Sequence, residues 1–585
     1  MPYPKIPLAQ QVIQLCNAKG IHHVVISPGS RNAPLTIGFS SHPTINAYSV
    51  VDERCAAFFA LGIAQQLQKP VAVVCTSGSA VLNYYPAVAE AFYSNIPLVV
   101  ISADRPKHLI GVGDGQTINQ ENLFENHILF TANLVEESST NQYLLNKAIN
   151  TAIIDNGPVH INVPFAEPLY ETETELTEVI EVTSGESSVE ILQEDDYTLF
   201  KKTWQCSKKR MVLIGVNGPN KIEQQFLDYL GYDDATVVFT ESTSNVHHPN
   251  FFPSIDKIIA PLSDEEFSDL QPDVLLTLGG LIVSKKIKSF LRAYQPKAHY
   301  HVGADIAFDT FFCLKHQFKL SENSFFTRLF KDDVNTISDY QTKWLSVKSK
   351  RAEKHKAYLN SIPFSDFKAF EILQKHIPEH SVLHLSNSST IRYVQLFDSN
   401  PAVYQFCNRG TSGIDGSTST AIGHAVASEK QNILITGDLS FFYDSNALWN
   451  TYIPKNFRVI VVNNSGGGIF RILPGNKNTE NFETYFGKYP NIIRRNRNSV
   501  AVINGTETAS SNFVKKTSAF ALVADTSEGK SNRLHLVNSK LSVYRPEAKN
   551  FPLVHPQIAF QFIVDRRLVE VILCINTECF HIARI

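Results

Sequence analysis

The chain lacks an apolar leader, a membrane-length hydrophobic run, paired cysteines and an excess of charge. Each absence removes a class of function. The N-terminus, "MPYPKIPLAQ", has no apolar core of the kind a secretory signal needs. No uninterrupted apolar run approaches the roughly 20 residues of a membrane-spanning helix. The eight cysteines, at 16, 55, 75, 206, 313, 407, 574 and 579, form no CxxC pair, so neither a zinc site nor a disulfide framework is indicated. A net charge of −3 leaves no basic field for nucleic acid. No GK[ST] follows any glycine cluster, so there is no P-loop. A cytoplasmic, reduced protein is expected, with neither nucleic acid nor membrane as partner.

What is present is an ordinary globular composition, 43% hydrophobic and 19% charged, over 585 residues, enough for several domains. A short β-branched run, a small-residue turn and a helical pattern recur in three regions. That rhythm predicts an α/β fold of three αβα domains with central, mostly parallel sheets. The domains are expected at 1–180, 197–345 and 362–585. Strands are predicted at 22–27, 71–76, 97–102 and 159–163, then at 211–216, 235–240, 273–280 and 299–305, then at 381–386, 402–406, 431–438 and 457–464. The acidic stretch 171–196 reads mostly as linker, and 339–360 as a polar helix. After about residue 490 the periodicity weakens and the text is atypical, with a strand pattern only at 568–576.

Two of these runs, "NILITGD" and "RVIVVNN", end in small oxygen-bearing residues 26 positions apart, at Asp438 and Asn464. Ligands bind beyond the C-terminal ends of parallel strands. A helix near 445–454 would make the two strands parallel neighbours, about 4.8 Å apart, so their ends can share an ion. Asp438 offers a carboxylate, Asn464 a carboxamide oxygen and Gly466 a backbone carbonyl. Such hard donors favour magnesium, and three are too few for its octahedron unless water and phosphate oxygens complete it. The bland reading, a helix cap and a turn, would suffice for a lone GD dipeptide.

The segment "GDLSFFYDSNALWNTYIPKNFRVIVVNNSGG" resembles the metal-diphosphate motif of thiamine diphosphate enzymes. The resemblance implies Mg²⁺ (or Mn²⁺) held by Asp438, Asn464 and the Gly466 carbonyl, with Leu439 and Ser440 beside the diphosphate. Such enzymes also need a carboxyl group on the cofactor's aminopyrimidine. Bonded to the ring nitrogen, it shifts the exocyclic amine towards an imino form that can take a proton from the thiazolium carbon. "YSVVDERCAAFFALGIA" supplies Glu53 at a helix start, where an acid would otherwise merely complement the dipole. Its position matches the family's glutamate.

"SPGSRNAPL" (27–35), "DERCAAFFALGIA" (52–64), "SADRP" (102–106), "GQTINQ" (115–120), "SNSSTIRYV" (386–394), "NRGTSGIDGSTSTAIG" (408–423) and "GGGIFRILPG" (466–475) together resemble one branch, the SEPHCHC synthase family of menaquinone biosynthesis. The match runs from residue 1 to about 487. It implies a decarboxylating transferase that joins 2-oxoglutarate to isochorismate, with active sites between the subunits of a homodimer or homotetramer. Both substrates carry carboxylates, which suit the planar fork of arginine. By resemblance, Ser388 and Arg392 hold the oxoglutarate-derived carboxylate. Arg31 and Arg105, with Ser30 and Gln116, face isochorismate, and Arg409 lies near the reacting end. Lys285 matches a further substrate lysine, and Lys286 fits almost as well. Ile414 would support the bent cofactor, and Ile469, Phe470 and Leu473 would wall its thiazolium side; the alternative for these residues is plain core packing. No histidine falls in the matched cofactor segments, so proton transfer would rest on the cofactor's amine, Glu53 and water. Two alternatives stay open: another thiamine diphosphate-dependent 2-oxoacid carboligase or decarboxylase, or an inactive cofactor-binding homologue.

Overall fold

The computed structural model describes residues 2–185, 192–304, 306–331, 336–464, 466–471, 479, 481, 482, 485 and 486, and the backbone alone at 472, 499–504, 558–565, 568–575 and 578–584. The chain divides into two compact units. One takes Met1–Ser187, His384–Asn387 and Gly410–Ile585, and the other Ser188–Leu383 and Ser388–Arg409.

The first unit begins with β1 (Tyr3–Pro4), β2 (His23–Ile26), β3 (Asn46–Ser49), β4 (Val71–Cys75), β5 (Leu98–Asp104), β6 (Phe130–Asn133), β7 (Val159–Pro164) and β8 (Thr172–Glu173). Strands β2 to β7 form one all-parallel sheet in the order β3-β2-β4-β5-β7-β6. Its central strands are apolar without alternation because both faces are covered. Val25, Val73 and Val100 face one core and Val24, Val74 and Val99 the other. β8 pairs with β1 inside the expected linker, and a helix, Glu194–Cys206, starts before that stretch ends.

The second unit holds β9 (Arg210–Ile214), β10 (Thr236–Thr240), β11 (Val274–Leu278), β12 (Ala298–Val302) and β13 (Leu314–Phe318). They form a parallel sheet in the order β10-β9-β11-β12-β13. The polar helix expected at 339–360 is present at Tyr340–Ser361. The chain then passes through β14 (Val382–Leu385) and β15 (Tyr404–Phe406).

Back in the first unit, β16 (Asn432–Gly437) and β17 (Phe457–Asn463) pair in parallel, from Asn432 against Phe457 to Gly437 against Val462. β18 (Ser499–Asn504) runs antiparallel to β17. Farther on, β19 (Ile558–Asp565), β20 (Leu568–Ile575) and β21 (Glu578–Arg584) pair antiparallel, and β20 meets the strand expected at 568–576. The crossover between β16 and β17 is a short helix at Asp438–Tyr443 followed by a 3-10 turn at Ser445–Trp449, not a helix over 445–454. Asn450 ends that turn in extended backbone, and Pro454 follows it.

Two helices of the first unit, Glu53–Leu67 and Ser417–Val426, touch backbone to backbone through glycine. A Cβ at Gly62 would lie 2.0 Å from the Thr420 carbonyl oxygen, and one at Gly423 would lie 2.0 Å from that of Phe59. The first helix is fixed at its start by Asp52, whose side chain accepts from the Cys55 amide at 3.0 Å. Overpacking such a contact costs about 1–3 kcal/mol. Gly62→Ala is therefore expected to lower the melting temperature clearly. Gly218→Ala, with no heavy atom within 4 Å of its added methyl, should leave it unchanged. Equal melting temperatures for Gly62→Ala and wild type, read by circular dichroism, would refute the close contact.

Candidate active site

The loop after β2 carries Ser30, exposed, and Arg31, almost fully buried. Gly29 lets this loop lie on Thr76, since a Cβ there would sit 2.3 Å from Thr76 Cβ. The Arg31 amide donates to Thr76 Oγ1 at 3.3 Å. Its guanidinium donates to the Phe165 carbonyl at 2.9 Å and to Glu167 at 3.2 Å. Arg105 follows directly on β5, donates to the Gly115 carbonyl at 3.0 Å and stands 3.5 Å from Asp114. Burial, and then the charge of Arg105, push the Arg31 guanidinium below its ordinary pKa. Two cations held together in this way favour an anion between or beside them. Gln116 follows Gly115, whose carbonyl accepts from Arg105, and is in left-handed backbone, φ 58°. It donates to the Ser77 carbonyl at 3.1 Å while Ser77 Oγ donates back to the Gln116 carbonyl at 3.0 Å.

Glu53 opens its helix half-buried. Desolvation raises its carboxyl pKa, Asp52 adds to this, and hydrogen bonds from its own backbone and from Asn83 oppose it. Its neighbours are tied to the end of the Asp438 helix. Asn446 Nδ2 donates to Asp52 at 2.8 Å, Arg54 donates to the Tyr443 carbonyl at 2.5 Å, and Cys55 Sγ to Asp444 at 3.5 Å.

The register of β16 and β17 sets their polar ends side by side. Asp438, buried, accepts from the Leu439 amide at 2.8 Å and from the Gly466 amide at 3.0 Å. Asn464 lies over Gly468, where a Cβ would come within 2.4 Å of its Nδ2. Ser440 donates to the Ile414 carbonyl at 2.6 Å. Ile414, Leu439 and Ile469 are half-buried and Phe470 is exposed; Leu473 lies outside the described residues. Among the described residues no group of three or more His, Cys, Asp or Glu could hold a metal. A cation here would rest on one carboxylate and amide oxygens, a set that suits magnesium and a diphosphate and does not suit zinc.

The second unit carries the remaining basic residues. Ser388 is at φ 70°, and Arg392 donates to its carbonyl at 2.5 Å. Burial and then Arg409 lower the pKa of Arg392, which Asp256 opposes. Lys285 is exposed at the first turn of the helix Lys285–Ala293, as is Lys286. Lys288 of the same helix is half-buried. Burial lowers its pKa against the pull of Glu241, and Arg409 lowers it further. Glu241 accepts from the amides of Val283 at 2.8 Å and Ser284 at 2.7 Å, and burial pushes it up to about 7.

Several of these residues escaped the sequence reading. Lys288 and Glu241 sit in no quoted motif. Glu90, 1% exposed, receives the Gly410 amide at 2.7 Å, the Thr411 amide at 2.6 Å and the Thr411 hydroxyl at 2.8 Å, and so fixes the loop leading to Ile414. Its only signal was an acid inside an otherwise apolar helical stretch, "AVAEAF". His127 lies against the hydroxyls of Tyr85 at 3.0 Å and Tyr93 at 3.5 Å.

Residues 6–126 match the thiamine pyrophosphate enzyme N-terminal TPP binding domain. A 2-succinyl-5-enolpyruvyl-6-hydroxy-3-cyclohexene-1-carboxylate (SEPHCHC) synthase of Flavobacterium psychrophilum is 58% identical over 491 residues, 83% of this chain and 88% of the relative. The synthase of that name from Flavobacterium johnsoniae is 56% identical over 490 residues, with the same coverage. That from Porphyromonas gingivalis is 38% identical over 494 residues, 81% of this chain and 85% of the relative. Identity of this depth along most of both chains means that this protein belongs to the SEPHCHC synthase family of thiamine diphosphate enzymes.

Proposed function

We infer that the protein is a thiamine diphosphate-dependent transferase that joins 2-oxoglutarate to isochorismate, releasing CO₂ and SEPHCHC, in menaquinone biosynthesis. The observation that carries this reading is the 58% identity over 491 residues to a SEPHCHC synthase. When bound, thiamine diphosphate supplies a carbon nucleophile and the electron sink that decarboxylation needs.

The residues take the following roles. Asp438, Asn464 and the Gly466 carbonyl hold Mg²⁺ or Mn²⁺, and Leu439 and Ser440 lie at the diphosphate. Glu53 bonds the aminopyrimidine ring nitrogen; its raised pKa lets the carboxyl stay protonated closer to neutrality. Ile414 supports the cofactor, and Ile469, Phe470 and Leu473 exclude water from the reacting carbon. Ser388 and Arg392 bind the 2-oxoglutarate carboxylate. Arg31, Arg105, Ser30 and Gln116 bind isochorismate, Arg409 serves the reacting end, and Lys285 or Lys286 is a further substrate lysine. The chain works as a homodimer or homotetramer in the cytoplasm, with Glu53 and Asp438 of one site on different subunits. Its pyrimidine, central and diphosphate domains are those at 1–180, 197–345 and 362–585. No helix among the described residues is long and apolar enough to cross a membrane.

Purified protein with thiamine diphosphate, Mg²⁺ and both substrates should consume isochorismate, seen as loss of its absorbance. Cofactor binding without turnover would leave another 2-oxoacid carboligase or decarboxylase, or the inactive homologue. Glu53→Gln should abolish decarboxylation and spare cofactor binding; unchanged turnover would remove Glu53 from the mechanism. Arg392→Ala should weaken use of 2-oxoglutarate by about 1.5–3 kcal/mol, the scale of a charge-assisted hydrogen bond. Unaltered kcat and KM would refute that role.

A further inference from the structure

Behind Arg105 and Gln116 lies a chain of buried polar side chains that none of the roles above employs. Its hub is Asn162 on β7, 4% exposed. Asn162 Nδ2 donates to Asp104 Oδ2 at 2.8 Å, and Asp104 Oδ1 accepts from the Arg105 amide at 2.8 Å. Asn162 Oδ1 accepts from Ser102 Oγ at 2.8 Å and from Gln120 Nε2 at 2.9 Å. Gln120 is fully buried; its Oε1 accepts from the Gly78 amide at 2.9 Å, and its Nε2 also donates to the Ala103 carbonyl at 3.2 Å. Gly78, at φ +87°, lies under Gln116, where a Cβ would stand 3.0 Å from Gln116 Cγ. At the far end Ser102 Oγ is 2.7 Å from His160 Nε2, and burial pushes that imidazole down to about 3, which keeps it neutral.

This chain has a fixed polarity. Asp104 can only accept while ionised, so its neighbour must donate. Ser102 and Gln120 both donate to the same neighbour, so it must also accept. A carboxamide is the side chain of this size that meets both demands. The same amide thus sets the backbone that launches Arg105 and, through Gln120 and Gly78, the turn under Gln116.

We propose that Asn162 is a positioning residue for the isochorismate side of the site, acting through Arg105 and Gln116 and leaving use of 2-oxoglutarate untouched. The inference rests on the roles given to those two residues under the proposed function. Asn162→Asp removes the donor and sets two carboxylates against each other. The double variant Asp104→Asn, Asn162→Asp exchanges the partners and allows every bond in the chain to form again.

Full-length protein with thiamine diphosphate and Mg²⁺ is assayed for KM of each substrate and for release of CO₂ from 2-oxoglutarate without isochorismate. Asn162→Asp should raise KM for isochorismate about tenfold or more, the loss expected for a buried bond to a charged group. KM for 2-oxoglutarate and the rate of CO₂ release should stay within about twofold, and the exchanged pair should return near wild type. An unchanged KM for isochorismate, a parallel change for both substrates, or no recovery in the exchanged pair would overturn the proposal. If Asn162→Asp does not fold, Gln120→Met, which cuts the arm to Gly78, must show the same selective rise or the proposal fails. Wild-type protein inert towards this substrate pair would remove the functional reading and this inference together.

Discussion

The register between β16 and β17 is the constraint on which the proposed cofactor site depends. Side chains alternate along a strand, so a slip of one residue would turn each of them to the other face. With Gly437 held against Val462, Asp438 leaves one strand where Asn464 and Gly466 leave the next. The contact of Asp438 with the Gly466 amide at 3.0 Å is the local expression of that alignment. The apolar runs 433–435 and 459–462, buried along both strands, favour it.

A second constraint fixes the helix that begins with Glu53. Glycine at 62 and 423 lets it meet the Ser417–Val426 helix at backbone distance. Asp52, Arg54 and Cys55 then clasp Tyr443, Asp444 and Asn446. Asp444, fully buried, also takes the Ser419 amide at 2.7 Å and hydroxyl at 2.9 Å, and burial pushes it up to about 6. The acid proposed for the pyrimidine ring and the acid proposed for the metal therefore sit on elements that are joined within one chain.

Much of this was legible in the sequence. The central parallel strands showed as β-branched runs with polar ends, and the arginines at 31 and 105 stood in small-residue loops after two of them. Eight of the described strands were missed, β1, β3, β6, β8, β13, β18, β19 and β21, all at sheet edges; in β3, β6 and β13 partial exposure breaks the apolar run. The crossover after Asp438 was placed too late, because a short helix and a 3-10 turn carry little periodicity. Glu90, Asn162, Gln120 and Asp444 were silent for another reason. Each is a polar residue in an apolar setting, and only tertiary placement reveals what it holds. Lys288 lies three residues from the lysine that was named, and burial beside Arg409 and Glu241 distinguishes it where spacing could not.

In the proposed assembly the carboxyl of one subunit serves the cofactor anchored on another. Mixing subunits tests this directly. Glu53→Gln and Asp438→Asn homodimers, each inactive, are dissociated together, reassembled and assayed for isochorismate consumption. Random reassortment gives mixed dimers with one intact site each, so activity should return to about a quarter of wild type. No recovery, with mixed dimers verified by a different affinity tag on each variant, would contradict a site built from two chains.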